Sequence, residues 1–236
     1  MTVFTEHTTL AEIVTARPSL ARVLETQGLD YCCGGAATLA ESCRANDLAV
    51  DEVLVELAAF PVDETSPSWA AMDVAELVDH LEATHHQYLW TELPRLSALA
   101  DKVVSVHAVR HPGLVDIAAC VATIRADLEP HLTKEERVLF PMVRELAAAE
   151  TAPTFHCGSL ANPISVMLAE HDTVGELLAE LRELTNTYQA PADGCASYAS
   201  LFSGLAELEA DTHLHVHKEN NVLFPAVVAL EQSVAS

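Results

Sequence analysis

His131-Leu-Thr-Lys-Glu135-Glu-Arg-Val-Leu-Phe-Pro141 and His215-Val-His-Lys-Glu219-Asn-Asn-Val-Leu-Phe-Pro225 are near copies, 84 residues apart, with seven identities in eleven positions. Both read H-x-x-K-E-x-x-V-L-F-P, and both lie in stretches of helical periodicity. Duplication of a helical hairpin explains such a recurrence. On a helix, residues i and i+4 share one face, with Cβ atoms roughly 6 Å apart. The histidine and glutamate of each copy therefore face the same way. A neutral imidazole offers a nitrogen ligand, and a carboxylate has two oxygens with which it can bridge two cations. Two such helices supply His131, Glu135, His215 and Glu219. That mixed nitrogen and oxygen set suits a di-iron or di-manganese pair in a bundle core, with iron the first expectation. Structural zinc usually closes four ligands around one ion. A solvated i,i+4 pair would give this spacing once, but not twice with the same apolar neighbours.

Outward from the repeat, the chain reads as four long helices. Asp73 is an N-cap candidate for the first, which runs to about Ala100. His111-Pro-Gly113 precedes the second, expected over 114–149. An irregular stretch with Pro153, Gly158 and Pro163 leads to the third, over 164–187. Pro191-Ala-Asp-Gly194 turns the chain into the last, over 196–231. Four long helices with short connections predict an up-down four-helix bundle. Upstream, Thr9 to Thr26 has helical spacing interrupted at Pro18, and residues 36–44 and 49–60 read as short helices. Phe60-Pro-Val-Asp-Glu-Thr-Ser-Pro-Ser68 has a linker's composition. The predicted division is a small helical domain over 1–62 and a bundle over 69–232.

The first and third helices must complete the metal site. The third offers His171, in phase with Met167 and Leu178. Glu170, immediately before it, is a candidate to hold a ligand or to approach the metals as a further carboxylate. The first offers His80, His85 and His86. With Val74, Leu77, Val78 and Leu81 as the core face, phase prefers His85. His86 is instead in line with Leu89 and Leu93.

Half of the residues are hydrophobic and only 5% are aromatic, and alanine and leucine dominate, which is a helical composition. A net charge of −23 repels nucleic acid and anionic membranes. The start of the chain lacks a secretory pattern, and no apolar run is long enough to span a membrane, so a reducing cytoplasmic location is expected. The six cysteines form neither a disulfide framework nor a zinc ribbon. Cys43, Cys120, Cys157 and Cys195 read as small packing residues, and His7, His107, His111 and His156 as surface residues.

Asp30-Tyr31-Cys32-Cys33-Gly34-Gly35, together with the two repeats and Glu170-His171-Asp172, resembles the repair-of-iron-centres family. This is the di-iron group of bacterial iron–sulfur cluster repair proteins. The resemblance spans about residues 5–230. It implies a cysteine-bearing N-terminal domain joined to a hemerythrin-like bundle. It implies two iron ions held by His86, His131, Glu135, His171, His215 and Glu219. His86 follows from its place eight residues before Pro94 in Glu92-Leu-Pro-Arg-Leu96, and it overrides the phase argument. Cys32 and Cys33 match the family's paired cysteines, on a turn that reads as mobile and approachable, where a thiolate can bind iron, take up nitric oxide or undergo exchange. The implied function is repair of clusters damaged by nitrosative or oxidative stress, by iron donation to a damaged iron–sulfur protein. Two alternatives use the same centre: a nitric oxide reductase, and a sensor binding oxygen or nitric oxide. A homodimer is also implied.

Overall fold

The computed structural model describes residues 3–61 and 69–234. Residues 62–68, most of the expected linker, lie outside the described residues. The protein is all-α, and no strand forms among the described residues. Its helices in chain order are α1 Leu10–Ala16, α2 Ala21–Thr26, α3 Leu39–Ala45, α4 Val50–Ala59, α5 Val74–Leu81, α6 Gln87–His107, α7 Leu114–Lys134, α8 Phe140–Ala148, α9 Ala161–Leu184, α10 Ala196–Lys218 and α11 Phe224–Val234. Three π turns join α5 to α6, α7 to α8 and α10 to α11: Glu82–His86, Glu135–Leu139 and Glu219–Leu223. The chain forms two compact units, Met1–His80 with Val143–Thr154 and His213–Ser236, and Leu81–Met142 with Phe155–Thr212.

In the first unit, Pro18 divides the Thr9–Thr26 stretch as its missing N–H requires, leaving a 3-10 turn at Pro18–Leu20 between α1 and α2. Two capping boxes set the frame. Thr9 and Glu12 cap α1, and Thr38 and Glu41 cap α3 in the same way. The Leu10 and Ala11 N–H groups at the start of α1 donate to Ala37 and Gly35 oxygens at 3.0 and 2.9 Å, so the cysteine turn itself closes that helix end. Leu10, Ile13, Leu24, Tyr31, Leu39, Leu57 and Val216 share one buried core.

The second unit holds the four-helix packing. Leu93 and Leu96 of α6, Val121 and Ile124 of α7, Leu178 and Leu181 of α9, and Leu201 and Leu205 of α10 are all fully buried in one core. Each such leucine stabilises by about 1.5–3 kcal/mol. The first long helix runs past its expected end at Ala100 to His107, because no breaker intervenes before Pro112. α9 starts three residues before the expected 164, taking Pro163 into its first turn, where a missing N–H costs nothing. It ends at Leu184, where Asn186, Thr187 and Tyr188 have φ of 49°, 56° and 58° and cannot continue a right-handed helix.

Candidate metal centre

The π turns fall on the expected ligands. Glu135 opens one, Glu219 opens another, and His85 and His86 close the third. In both repeats the turn immediately precedes Phe-Pro. A proline inside a helix clashes with the carbonyl four residues back, and the wider turn at Glu135–Leu139 or Glu219–Leu223 moves that carbonyl aside. The V-L-F-P shared by the copies thus carries a backbone instruction as well as a packing one.

In the second unit, His86, His131, Glu135 and His171 converge. All four are buried, with Glu135 at 0% exposure. Glu135 Oε2 lies 3.3 Å from His131 Nε2 and 3.5 Å from His86 Nε2. His131 and His171 face each other through their Nε2 atoms, 3.1 Å apart. One ligand atom from each of His131, Glu135 and His171 fits within 4.8 Å of the others. In the first unit, His215 Nε2 and Glu219 Oε1 are 3.1 Å apart, both residues fully buried.

These residues fit a metal. Among the described residues, neither oxygen of Glu135 accepts a hydrogen bond. An ionised carboxylate buried without hydrogen bonds costs several kcal/mol, and native proteins place such groups against cations. The His131 tautomer points to the same answer. Its Nδ1 sits 2.8 Å from Glu170 Oε2, so the proton belongs there and the Nε2 lone pair faces His171.

Glu170 is where the sequence placed it, behind a ligand candidate. It also accepts from the Lys134 ammonium. Burial pushes its carboxyl up, but Lys134 and His131 together hold it below the usual range. Replacing Glu170 by alanine should lower metal affinity by about 10- to 100-fold, because His131 loses the partner that fixes its tautomer and ring angle. Metal titration monitored by competition with a chelator reads this directly, and unchanged affinity would remove Glu170 from the centre.

Both His85 and His86 are buried, but they do different things. His85 Nδ1 meets Asp211 Oδ1 at 2.9 Å. His86 presents Nε2 to Glu135, while its Nδ1 meets Glu136 Oε1 at 3.0 Å and its ring stacks on Phe140 at 5.3 Å. Trp90 Nε1 donates to the same Glu136 oxygen at 2.7 Å. Sequence phase preferred His85 because it assumed 3.6 residues per turn throughout. The π turn at Glu82–His86 adds one residue, and the next position, His86, takes the face that His85 would otherwise have had.

Glu136, Asp211, Asn220 and Asn221 were not found by sequence reasoning. Three of them lie where the repeats differ. In the first copy, Glu136 orients His86. In the second, Asn221 occupies the position of Arg137 and its Nδ2 donates to the Cys32 carbonyl at 3.0 Å, with Asn220 Nδ2 at 3.4 Å from the same oxygen. His217, in place of Thr133, meets the Tyr31 carbonyl through Nδ1 at 3.1 Å and Thr15 Oγ1 through Nε2 at 3.2 Å. Burial, with the Lys218 charge nearby, pushes its pKa down to about 4, so it is neutral. Positions shared by the copies carry the ligand candidates, and positions that differ hold second partners or the cysteine turn.

That turn is pinned, unlike the mobile turn expected. The Asp30 carboxylate accepts from the N–H groups of Cys32, Cys33 and Gly34 at 2.9, 3.0 and 2.8 Å. Cys32 is buried and Cys33 half-buried, with their sulfurs 4.0 Å apart. The hydrogen bond to Cys33, then burial and Asp30, raise the Cys32 thiol well above its ordinary range. Asp30, Cys32 and Cys33 offer ligand atoms within 4.8 Å of one another. Of the other residues assigned from sequence, His107 is buried rather than on the surface, because α6 extends to include it, and Cys195 is exposed rather than packed.

Helices carrying paired histidine and glutamate inward, with a carboxylate starved of hydrogen bonds between imidazoles, define a metal-binding hemerythrin-like bundle. Residues 77–227 match the family described as the hemerythrin HHE cation binding domain, and residues 6–60 match a domain of unknown function (DUF542). The iron-sulfur cluster repair protein YtfE of Escherichia coli O1:K1 / APEC is 32% identical over 222 residues, covering 94% of this chain and 97% of that protein. The protein of the same name from Enterobacter sp. (strain 638) is 33% identical over the same shares. The chain belongs to this hemerythrin-like family of iron–sulfur cluster repair proteins.

Proposed function

We propose that this protein repairs iron–sulfur clusters damaged by nitrosative or oxidative stress, using a carboxylate-bridged pair of iron ions as an iron source. The observation that carries the reading is Glu135, buried with neither oxygen hydrogen-bonded among the described residues. His86, His131, Glu135, His171, His215 and Glu219 are the proposed ligands, with Glu135 and Glu219 bridging. The equal placement of a π turn behind each glutamate supports equal roles for the two copies. The iron supplies Lewis acidity and exchangeable coordination positions. The chain supplies the rest: Glu170 and Glu136 hold protons on His131 and His86 Nδ1, leaving both Nε2 lone pairs for metal.

The names of the relatives support the repair reading, and the pinned cysteine turn supports a role for thiols in it. Cys32 and Cys33 are proposed to receive or relay iron, with the buried Cys32 deprotonating as metal arrives. A division into a cysteine-bearing domain over 1–62 and a bundle over 69–232 is part of the proposal, and the matches at 6–60 and 77–227 support it. Among the described residues no helix is long and apolar enough to cross a membrane. We place the protein in the cytoplasm, as a homodimer acting on damaged iron–sulfur proteins.

The test adds anaerobically purified, iron-loaded protein to a hydratase whose cluster nitric oxide has destroyed. Activity should return in proportion to the repair protein added. A catalytic output of nitrous oxide without restoration would support a reductase instead, and clean reversible gas binding a sensor. Cys32→Ala with Cys33→Ala should keep the iron content and optical spectrum but lower restoration by about tenfold or more, as when a reactive thiol is lost. Full restoration by this variant would remove the cysteines from the reaction.

A further inference from the structure

Cys195 is the exposed cysteine of the six, and it sits at the start of α10. Its carbonyl accepts the first helical hydrogen bond, from Ala199 N–H at 3.0 Å, so it is the N-cap residue, and its sulfur accepts from the Tyr198 and Ser197 N–H groups of the first turn. A second group points at that sulfur from another helix. His107, at the end of α6, is more than nine-tenths buried, and its Nε2 lies 3.1 Å from Cys195 Sγ. Tyr198 packs edge-on against the His107 ring at 5.6 Å and fixes its plane. A shallow groove of about 470 Å³ starts at the residue after Cys195, lined by Ala196, Ser197 and Ser200 of α10 and, in part, by Arg95 and Lys102 of α6. Glu92 neutralises Arg95. Lys102 therefore gives the groove its cationic character, in a chain of net charge −23.

We propose that Cys195, with His107 against its sulfur, undergoes thiol–disulfide exchange with small disulfides carrying carboxylates. The Cys195 sulfur attacks one sulfur of the incoming disulfide. A new S–S bond forms, the old one breaks, and the leaving sulfur takes the electron pair and then the proton from His107. One disulfide is exchanged for another, the Cys195 sulfur rising to the disulfide level as the leaving sulfur falls to the thiol level, so no other reactant is needed. Lys102 and the Ser197 and Ser200 hydroxyls seat the carboxylates.

The electrostatics agree with the geometry. Hydrogen bonding from the Tyr198 N–H lowers the Cys195 pKa against the opposing effect of burial, and the Ser197 N–H and Lys102 add to the lowering. The other groups around the pair are His111 and Asp193, which bond each other at 3.2 Å, Arg110, 3.8 Å from the same Asp193 oxygen, and Tyr198. Cys32, Cys43 and Cys120 have their thiols pushed up instead.

The experiment exposes the full-length chain to glutathione disulfide, to neutral hydroxyethyl disulfide and to cationic cystamine, and maps the mixed disulfides by peptide mass. Cys195 should react first, fastest with glutathione disulfide. His107→Gln should slow all three by roughly tenfold, and Lys102→Gln should slow only the anionic reagent. The unaltered protein gives an independent reading through iodoacetamide, whose rate at Cys195 should level off at lower pH than at Cys157. Equal labelling of Cys33, Cys157 and Cys195, or coincident pH profiles for Cys195 and Cys157, would overturn the assignment.

Discussion

Glu135→Leu should lose at least one of the proposed pair of iron ions and leave a metal-free protein more stable than the metal-free parent. The two halves of this result have one cause. Glu135 is fully buried, and neither oxygen accepts a hydrogen bond among the described residues. With iron bound, its charge is matched and its lone pairs are used. Without iron, the buried carboxylate has imidazole nitrogens at 3.3 and 3.5 Å but, among the described residues, no hydrogen bond. Replacing a poorly matched buried charge by an apolar side chain of similar volume stabilises by about 1–4 kcal/mol. Metal analysis should find at most one iron per chain, and urea unfolding in the presence of chelator should show a later midpoint than the chelated parent. Retention of two iron ions would end the bridging role. A less stable metal-free variant would mean that the carboxylate is satisfied by protein groups.

Gly35→Ala should have the second-largest effect, and on a different part of the molecule. A Cβ at Gly35 would lie 2.5 Å from the Tyr31 carbonyl oxygen and 2.9 to 3.0 Å from the Asn221 side-chain amide. A backbone oxygen cannot swing aside as a flexible side chain can. The cost is about 1–3 kcal/mol, as for other overpacked sites. The turn would move away from Asn221, and the Gly35 carbonyl would leave the Ala11 N–H that it caps. Cys32 should become reactive towards thiol reagents while iron content stays near that of the parent. Wild-type stability with a protected Cys32 would show that the close approach is not required.

The helical class and the repeated ligand pairs were legible because both are local. Apolar residues at 3.6-residue spacing announce a helix from within its own sequence. A histidine and a glutamate four apart share a face whatever the rest of the chain does. His171 was legible for the same reason, from its phase with Met167 and Leu178. Helix ends were less so. α6 continued to His107 and carried that histidine from an expected surface position into a buried one against Cys195.

By itself the sequence determined that this protein is a helical bundle with His131–Glu135 and His215–Glu219 turned inward as matched pairs. Helical phase and the family's spacing disagreed over His85 and His86, and the tertiary structure turns His86 towards Glu135 because a π turn at Glu82–His86 breaks the regular period on which phase counting depends. Tertiary structure alone set the partners: Glu136 behind His86, Glu170 behind His131, Asp211 on His85, and Asn221 on the cysteine turn. Those pairs join residues 39 to 189 positions apart, and nothing in a local period specifies which distant side chain will fill a given hydrogen-bond site. The two repeats differ at four positions. Three of the second copy's residues there, His217, Asn220 and Asn221, hold the cysteine turn, and the fourth, Val216, packs in its core.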